Sequence, residues 1–428
     1  MRIKELIVYR IDENERILQD MAMIMDKAAA GIKEEEIQTL KDTFYGCMQG
    51  MLELAGNHGF YGNLWHCYLT NVLVNHENSY SKSTEIVGAI QGTINDAVLH
   101  DIVIFKELYD YDFTQLISTL NISGFELIKD YTPSTEESKV YNQRIKERIC
   151  TLAKRFNENN TPDEMKDTLT AFYKDYGVGK FGLHKAFRIE AGENGAQIVP
   201  ILNIAHVNLE DLVGYEIAKK KLTDNTDAFV EGKKANNCLL FGDAGTGKSS
   251  SIKGIANAYY EQGLRIIEVY KHQFQYLNDV IAQIKNRNYK FIIYMDDLSF
   301  EDFEIEYKYL KAVIEGGLEK KPKNVLIYAT SNRRHLVNET ISERENNMHL
   351  NDTMQEKLSL VARFGVTIFF GAPDKKEYQN IVRVLAKRNG IDVDDDTLML
   401  EANKWEMSHG GFSGRSAQQF VDYMLGKQ

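Results

Sequence analysis

The chain has 428 residues, of which 43% are hydrophobic and 26% are charged, and its formal net charge is −11. This composition is typical of globular proteins, and the length predicts two or three domains. The negative charge disfavours a general nucleic-acid binder, although a local basic patch would still permit such binding. The chain begins without an apolar signal sequence, no apolar run reaches the ~20 residues that span a bilayer, and the 4 cysteines are scattered. We therefore expect a cytoplasmic protein with reduced thiols and no membrane partner.

Residues 1–150 are predicted to form a mainly α-helical N-terminal domain. Apolar side chains recur there at helical spacing, as in Leu18, Met21 and Met25. Aromatic residues between Phe60 and Tyr68 favour a packed helical core over a ligand platform. The sequence of this half does not identify what it binds.

Residues 151–206 are interpreted as a connector. Thr161 and Pro162 are typical of a helix start, because proline is tolerated in the first turn of a helix. The stretch Gly177–Gly182 fits the pattern G-x-G-x-x-G, which indicates a dinucleotide site only when it follows a strand. Since the residues before it favour a helix, we expect these glycines to end that helix. A second nucleotide site is the less favoured alternative.

The most informative stretch is the phosphate-loop sequence G-D-A-G-T-G-K-S at residues 242–249. Its glycines allow backbone N–H groups to converge on phosphate oxygens, and the helix that follows adds its N-terminal dipole. Lys248 is expected to reach the β- and γ-phosphates, and the Ser249 hydroxyl to ligate Mg²⁺. The predicted nucleotide-binding residues are Gly242, Asp243, Ala244, Gly245, Thr246, Gly247, Lys248, Ser249 and Ser250, with Val213 and Gly214 about 30 residues upstream.

Two later strands end in polar residues that suit nucleotide hydrolysis. The apolar run 291–295 is followed by Asp296 and Asp297. Asp296 is expected to hold Mg²⁺ beside Ser249, and Asp297 to polarise the attacking water. A second buried strand, 325–331, is followed by Asn332, whose amide can hold that water against the γ-phosphate. These residues predict hydrolysis of ATP.

From about residue 207 to the end, the order of these motifs resembles the AAA+ ATPase superfamily. A more specific similarity is to a bacterial AAA+ family catalogued only as a domain of unknown function, which shares the runs 296–301 and 329–335 and a helical N-terminal half. The resemblance implies an α/β phosphate-loop NTPase fold, with a parallel five-stranded sheet and a C-terminal helical lid after a mainly α-helical N-terminal domain. The implied division is a helical domain at 1–150, a connector at 151–206, an AAA+ nucleotide-binding core at 207–373 and a lid at 374–428.

The resemblance also implies roles for three polar residues beyond the phosphate loop. Asn332 corresponds to the sensor 1 position, and Arg415 to the sensor 2 arginine that detects the γ-phosphate from the lid. Arg363 corresponds to the arginine finger, which acts on the nucleotide of a neighbouring subunit. Three other arginines compete for that interface role: Arg333, Arg334 and Arg344.

Two departures from the family pattern affect the expected mechanism. Asp297 stands where the family usually has glutamate and is one methylene shorter. Three alternatives follow: water bridges the gap, Glu301 helps to activate the water, or turnover is slow. Unfoldases carry a glycine-containing pore loop after the second strand, whereas the corresponding stretch Tyr270–Tyr276 has no glycine. Threading of a polypeptide through a central pore is therefore not favoured.

The sequence predicts an oligomeric ATPase, with a hexamer as one option, that uses ATP and Mg²⁺ to remodel a partner protein. The helical N-terminal half is expected to recognise that partner, whose identity the sequence does not give. One alternative is a DNA loader or initiator, whose binding would be sensitive to salt. Another is a nucleotide-gated scaffold with little turnover, which the shorter side chain of Asp297 favours.

Overall fold

The chain divides into two units, Met1–His184 and Lys185–Gln428. The computed structural model describes residues 2–11, 15–133, 143–192, 195–202, 204, 207–300, 305–315, 322–332 and 360–427. Among these residues, no helix combines the length and the apolar character that crossing a membrane requires.

The first unit is built from helices, as the sequence predicts. After a short 3₁₀ helix at Ile3–Glu5, its α-helices are α1 (Arg16–Ala30), α2 (Glu34–His58), α3 (Leu64–Asn75), α4 (Ser79–Val87), α5 (Ile94–Tyr109), α6 (Thr114–Leu120), α7 (Glu126–Lys129), α8 (Gln143–Glu158), α9 (Pro162–Tyr176) and α10 (Gly179–Leu183). Phe60, Trp65 and Tyr68 lie in the buried core of this unit, and the Trp65 indole N–H donates to the Leu108 carbonyl at 2.9 Å. The aromatic cluster is therefore core.

A buried carboxylate fixes the start of the chain. Asp101 on α5 is fully buried and accepts hydrogen bonds from the backbone N–H groups of Ile7, Val8 and Tyr9 at 2.7–3.1 Å. A buried carboxylate without such donors would carry a large desolvation penalty. The N-terminal segment is thus packed onto the helical core.

The expected connector is divided between the two units. Ile149 and Phe156 on α8 and Leu169 and Tyr173 on α9 are buried in the same core as α1–α7, so these helices belong to the first unit. The residues after His184 form strands of the second unit. The division therefore lies at residues 184 and 185, rather than at a helical domain ending at 150 and a separate connector.

The glycine-rich stretch in this region ends a helix. Thr161 caps α9 with Glu164, and Gly177 follows the helix at φ 80°. The backbone N–H of Val178 then donates to the buried Glu85 carboxylate at 3.0 Å. The Glu85 carboxylate occupies the Val178 N–H and would repel a phosphate group there. The stretch also follows a helix instead of a strand, so it does not have the context of a dinucleotide site.

The second unit contains a seven-stranded sheet of order β2-β1-β4-β5-β6-β3-β7. The strands are β1 (Ala186–Gly192), β2 (Gly195–Pro200), β3 (Cys238–Gly242), β4 (Leu264–Glu268), β5 (Lys290–Met295), β6 (Val325–Ser331) and β7 (Val366–Phe370). The five expected strands, β3–β7, are parallel to their neighbours. The prediction of only five strands is wrong, because β1 pairs in parallel with β4 and β2 pairs antiparallel with β1.

Buried strand residues explain why the sheet forms. All residues of β6 and most of β5 are buried, as is typical of parallel strands covered on both faces. Helices α11 (Glu216–Val230) and α12 (Lys248–Ala258) pack on the sheet through a core that includes Leu222 and Ile252. Because β3, β5 and β6 are parallel and adjacent, their C-terminal ends lie at one edge of the sheet, which brings together Gly242, Asp296 and Asn332.

The remaining helices complete the unit. Helices α13 (Leu277–Ile284) and α14 (Ile305–Glu315) lie between strands in the chain, and α15 (Lys375–Arg388), α16 (Asp395–Ser408) and α17 (Gly414–Leu425) form the expected C-terminal lid with its own core. Asp374 caps α15 by accepting from the Glu377 N–H at 2.8 Å, while the Glu377 side chain accepts from the Asp374 N–H. The two residues form an acidic capping box.

Candidate nucleotide-binding site

The loop between β3 and α12 has a backbone that only its glycines can adopt. Gly242, Gly245 and Gly247 have φ values of 136°, 74° and 90°. A Cβ atom on Gly242 would lie 2.1 Å from the Phe370 carbonyl oxygen, so glycine is also required by the close passage of β7. Gly247 directly precedes α12, whose first N–H groups have no partner within the helix. The loop is thus built to bind an anion at a helix N-terminus.

Lys248 lies at the centre of the loop and is only 6% exposed. Its ammonium donates to the carbonyl oxygens of Gly242 at 3.0 Å and Asp243 at 2.6 Å. Burial lowers the pKa of Lys248, and the nearby Arg415 guanidinium also lowers it, although three carboxylates oppose the shift. The carbonyl acceptors are neutral, so negatively charged phosphate oxygens in the loop can replace them with stronger contacts.

Ser249 and Asp296 form the pair that the sequence predicted as metal ligands. The Ser249 hydroxyl donates to Asp296 Oδ1 at 2.7 Å, and the Thr330 hydroxyl donates to the same oxygen at 2.5 Å. Burial raises the pKa of Asp296, but hydrogen bonds, chiefly from Thr330 and Ser249, hold it below its usual value. Asp296 is therefore ionised at neutral pH.

These oxygens fit Mg²⁺. The ion prefers hard oxygen ligands and is usually bound through one or two carboxylates together with substrate phosphates. Among the described residues, no cluster of three or more His, Cys, Asp or Glu side chains is placed to hold a metal by itself. Ser249 and Asp296 would thus hold the ion jointly with a phosphate group.

Asp297 has an unusual backbone that two neighbours stabilise. Its φ of 49° lies in the left-handed region, which non-glycine residues rarely adopt. Its N–H donates to Thr330 Oγ1 at 2.9 Å, and Asn332 Nδ2 donates to its carboxylate at 2.8 Å. The Asp297 carboxylate therefore points to the same region as the Asn332 amide. Glu301, the alternative water activator, lies outside the described residues.

These groups surround a cavity of about 610 Å³ between the sheet edge and the lid. That volume is within the range of small-molecule and cofactor sites. The predicted residues that line it are Val213, Ala244, Gly245, Thr246, Gly247, Lys248, Ser249, Ser250, Asp296, Asp297, Asn332 and Arg415. Sequence reasoning missed another group: Asp211, Leu212, Tyr215, Thr330, Ile381, Leu385, Gly414 and Gln418.

The missed residues had different signals in the sequence. Leu212 and Tyr215 flank the predicted Val213, so a wider window would have included them. Ile381 and Leu385 are apolar positions one turn apart on α15, and the same pattern predicts a helix that packs only within the lid. Thr330 is a strand residue whose hydroxyl becomes informative only when β5 and β6 are known to be neighbours.

Three predicted loop residues and one arginine do not line the cavity. Gly214, Gly242 and Asp243 lie beside residues that do. Arg363 instead forms an ion pair with Glu315 at the end of α14 in the same chain. The competing arginines, Arg333, Arg334 and Arg344, lie outside the described residues.

The lid contacts the phosphate loop directly. The backbone N–H of Arg415, at the start of α17, donates to the Gly245 carbonyl at 3.1 Å. Its side chain reaches the cavity wall and lies near enough to Lys248 to affect its pKa. A positive charge of the lid thus faces the loop where phosphate would bind.

Residues 182–428 match the family described as “Protein of unknown function (DUF815)”. The chain belongs to this family. The DUF815 match begins close to the boundary between the two units, so it covers the sheet, the phosphate loop and the lid. The predicted similarity to a family catalogued as a domain of unknown function is confirmed. No curated protein matches the chain.

Solved structures of RuvB from Thermotoga maritima are similar to part of this DUF815 chain. One RuvB mutant is 16% identical, with a TM-score of 0.37, and the match covers 51% of this chain and 64% of that one. Another, titled as a Holliday junction branch migration motor, is 14% identical with a TM-score of 0.32 and coverages of 51% and 71%. The predicted α/β fold class is confirmed by the structure itself, with a mainly parallel sheet, a phosphate loop and a C-terminal group of helices.

Proposed function

We propose that the second unit binds and hydrolyses ATP with Mg²⁺. The observation that carries this proposal is the 2.7 Å hydrogen bond from the Ser249 hydroxyl to the Asp296 carboxylate. This pair lies next to the phosphate loop, where the Lys248 ammonium donates to two carbonyl groups. A lysine, a hydroxyl and an ionised carboxylate at one helix N-terminus form a site for a metal-bound phosphate chain. The lid arginine Arg415 adds a positive charge at the cavity wall.

Each residue then has a distinct task in hydrolysis. Lys248 neutralises the phosphates, and Ser249 and Asp296 would hold Mg²⁺, which would supply electrostatic stabilisation of the transferring phosphoryl group. Asp297 accepts a proton from the attacking water, while Asn332 orients the Asp297 carboxylate through its 2.8 Å hydrogen bond. The products are ADP and inorganic phosphate.

We further propose that the active form is an oligomer. Arg363 would supply charge to the nucleotide of a neighbouring subunit, which is worth roughly 10³ to 10⁵ in rate for such arginines. Its ion pair with Glu315 would have to break for this, so the finger would be available only after assembly. The helical first unit would recognise the partner protein that is remodelled. The protein would act in the cytoplasm, and nucleic acid is the less favoured partner.

The direct test is nucleotide binding and turnover by the full chain. Lys248→Ala should abolish ATP binding without unfolding the protein, because its ammonium contacts only loop carbonyls. Lys253→Ala is the matched control, since this lysine is an exposed residue of the same helix and does not line the cavity. Wild-type affinity in Lys248→Ala would refute the site.

Turnover separates the proposed motor from its alternatives. A steady-state release of phosphate that depends on Lys248 supports an ATPase. Tight ATP binding with negligible phosphate release would instead favour the nucleotide-gated scaffold, and salt-sensitive DNA binding would favour the loader.

A further inference from the structure

One peptide group in the segment that connects the sheet to the lid is held from both sides. The chain passes from β7 through Gly371, Ala372 and Pro373 into α15. The Gly371 carbonyl accepts a hydrogen bond from the Tyr215 hydroxyl at 3.1 Å. The N–H of the same peptide group, on Ala372, donates to Asp243 Oδ2 at 2.7 Å. We call this arrangement the hinge clamp.

One arm of the hinge clamp comes from a residue that lines the cavity. Tyr215 lines the cavity beside Leu212 and Val213, and its ring packs on Phe370 with centroids 5.3 Å apart. Its φ of 60° is a conformation that a tyrosine rarely adopts. Burial, aided by two carboxylates, raises the pKa of Tyr215 to about 12, so the hydroxyl keeps its proton and donates.

The other arm is part of the phosphate loop itself. The Asp243 carbonyl accepts from Lys248 at 2.6 Å and from the Thr246 hydroxyl at 2.8 Å. Its N–H donates to the Phe370 carbonyl at 3.0 Å, next to the hinge. Asp243 therefore links the lysine that would bind phosphate to the peptide that carries the lid.

The lid has the rigidity to transmit a movement of this peptide. Helices α15–α17 share one buried core, and the lid also touches the loop where the Arg415 N–H donates to Gly245. The Arg388 guanidinium at the end of α15 donates to the carbonyls of Glu210 and Asp211 at 2.9 Å. A change in the direction of the hinge peptide would thus move Arg415 relative to the phosphate loop.

We propose that Asp243 and Tyr215 are positioning residues that set the lid through the Gly371–Ala372 peptide and so couple nucleotide occupancy to the placement of Arg415. This inference rests on the proposed ATP-binding function. When Lys248 turns from the Asp243 carbonyl to a phosphate, the Asp243 arm loses a contact that fixes it. The Asp243 side chain, which holds the Ala372 N–H, then responds to a phosphate in the loop, while Tyr215 responds to a ligand group that contacts its part of the cavity wall.

Hydrogen–deuterium exchange on the full chain tests the clamp without nucleotide. Asp243→Ala removes a charged acceptor, so exchange of the segment 371–374 should become faster by on the order of tenfold or more. Pro373 has no N–H, so the Ala372 amide is well separated from that of Asp374. Tyr215→Phe removes a weaker, neutral bond and should accelerate exchange by about two- to tenfold. Tyr259→Phe is the control, because that hydroxyl bonds Asp227 and does not line the cavity.

Nucleotide then tests the coupling. In the wild type, MgATP and MgADP should give different exchange rates at 371–374 and at the start of α17. Asp243→Ala should reduce that difference and should lower kcat more than it changes KM. Asp243→Asn keeps a hydrogen-bond acceptor, so it should restore part of the difference in exchange rate and part of kcat.

The outcomes distinguish the inference from the function on which it rests. Unchanged exchange of the Ala372 amide in nucleotide-free Asp243→Ala would overturn the clamp. A wild-type nucleotide response that persists in both Asp243→Ala and Tyr215→Phe would overturn the coupling. A wild type that binds no nucleotide would refute the proposed function, and with it the coupling, while the nucleotide-free experiment still decides whether the clamp exists.

Discussion

Replacing Thr330 with valine should disable the metal site while leaving the shape of the strand unchanged. Thr330 is 1% exposed, and its hydroxyl both donates to Asp296 at 2.5 Å and accepts from the Asp297 N–H at 2.9 Å. Valine has nearly the same shape but makes neither bond. Because the residue is nearly fully buried, water cannot readily replace both bonds.

The size of the effect follows from these two bonds. A hydrogen bond to a carboxylate contributes about 1.5–3 kcal/mol and a neutral one about 0.5–1.5 kcal/mol. In the variant, the Asp296 carboxylate still accepts the hydrogen bond from the Ser249 hydroxyl, and the Asp297 N–H still has its longer contact of 3.2 Å to Asp296. We therefore expect Thr330→Val to lower the free energy of unfolding by about 2–3 kcal/mol. Groups that orient metal ligands typically change metal affinity or activity by about 10- to 100-fold, so the Mg²⁺ requirement for turnover should rise by that factor.

The assay is a Mg²⁺ titration of ATP hydrolysis, together with chemical denaturation. Thr330→Ser keeps the hydroxyl and should restore most of the Mg²⁺ affinity. Thr226→Val is a control for the loss of a buried threonine hydroxyl elsewhere in the unit, since its partners are Leu222 and Tyr328. If Thr330→Val shows the same Mg²⁺ dependence as Thr226→Val, Thr330 does not organise the metal site.

Three further predictions test the catalytic group, the domain boundary and the assembly. Asp297→Asn should retain ATP binding and lose turnover in single-turnover assays; normal turnover together with an inactive Glu301→Gln would move the proton acceptor to Glu301. A fragment of residues 185–428 should fold and bind ATP, whereas one starting at residue 201 should be less soluble, because it lacks β1 and β2 and exposes the edge of β4; equal solubility by sedimentation would contradict this. Arg363→Ala should bind ATP but hydrolyse it slowly, and mixing it with Lys248→Ala should recover part of the activity. A mixed oligomer that forms but stays inactive would rule out the action of Arg363 on a neighbouring subunit.

Most of the second unit could be predicted because its signals are periodic or lie in consecutive residues. The apolar runs of β3–β7 indicate buried strands, and the phosphate loop identifies itself by its glycines, Lys248 and Ser249. The hairpin of β1 and β2 was missed as part of the sheet, because β1 pairs with β4 from more than 60 residues away in the chain and β2 joins the sheet through β1. The boundary at 184 was missed for the same reason, since α8 and α9 are assigned to the first unit by burial against distant helices.

The candidate site was predictable only in part. Asp296, Asp297 and Asn332 follow strands, and the parallel order of the strands places them at one edge of the sheet. The roles of Arg363 and Arg415 came from a family resemblance, and they stay predictions. The ion pair between Arg363 and Glu315 joins residues 48 positions apart, which no spacing rule would connect.

Features whose interactions span about four residues could be predicted from the sequence alone. Thr161 with Glu164 and Asp374 with Glu377 are helix caps of this kind, and the phosphate loop folds on its own glycines. The hinge clamp could not be predicted in this way, because Tyr215 bonds Gly371 across 156 positions and Asp243 bonds Ala372 across 129. Contacts of that range depend on strand order and on the packing of the lid, since the sheet brings together chain segments that local propensity treats as independent.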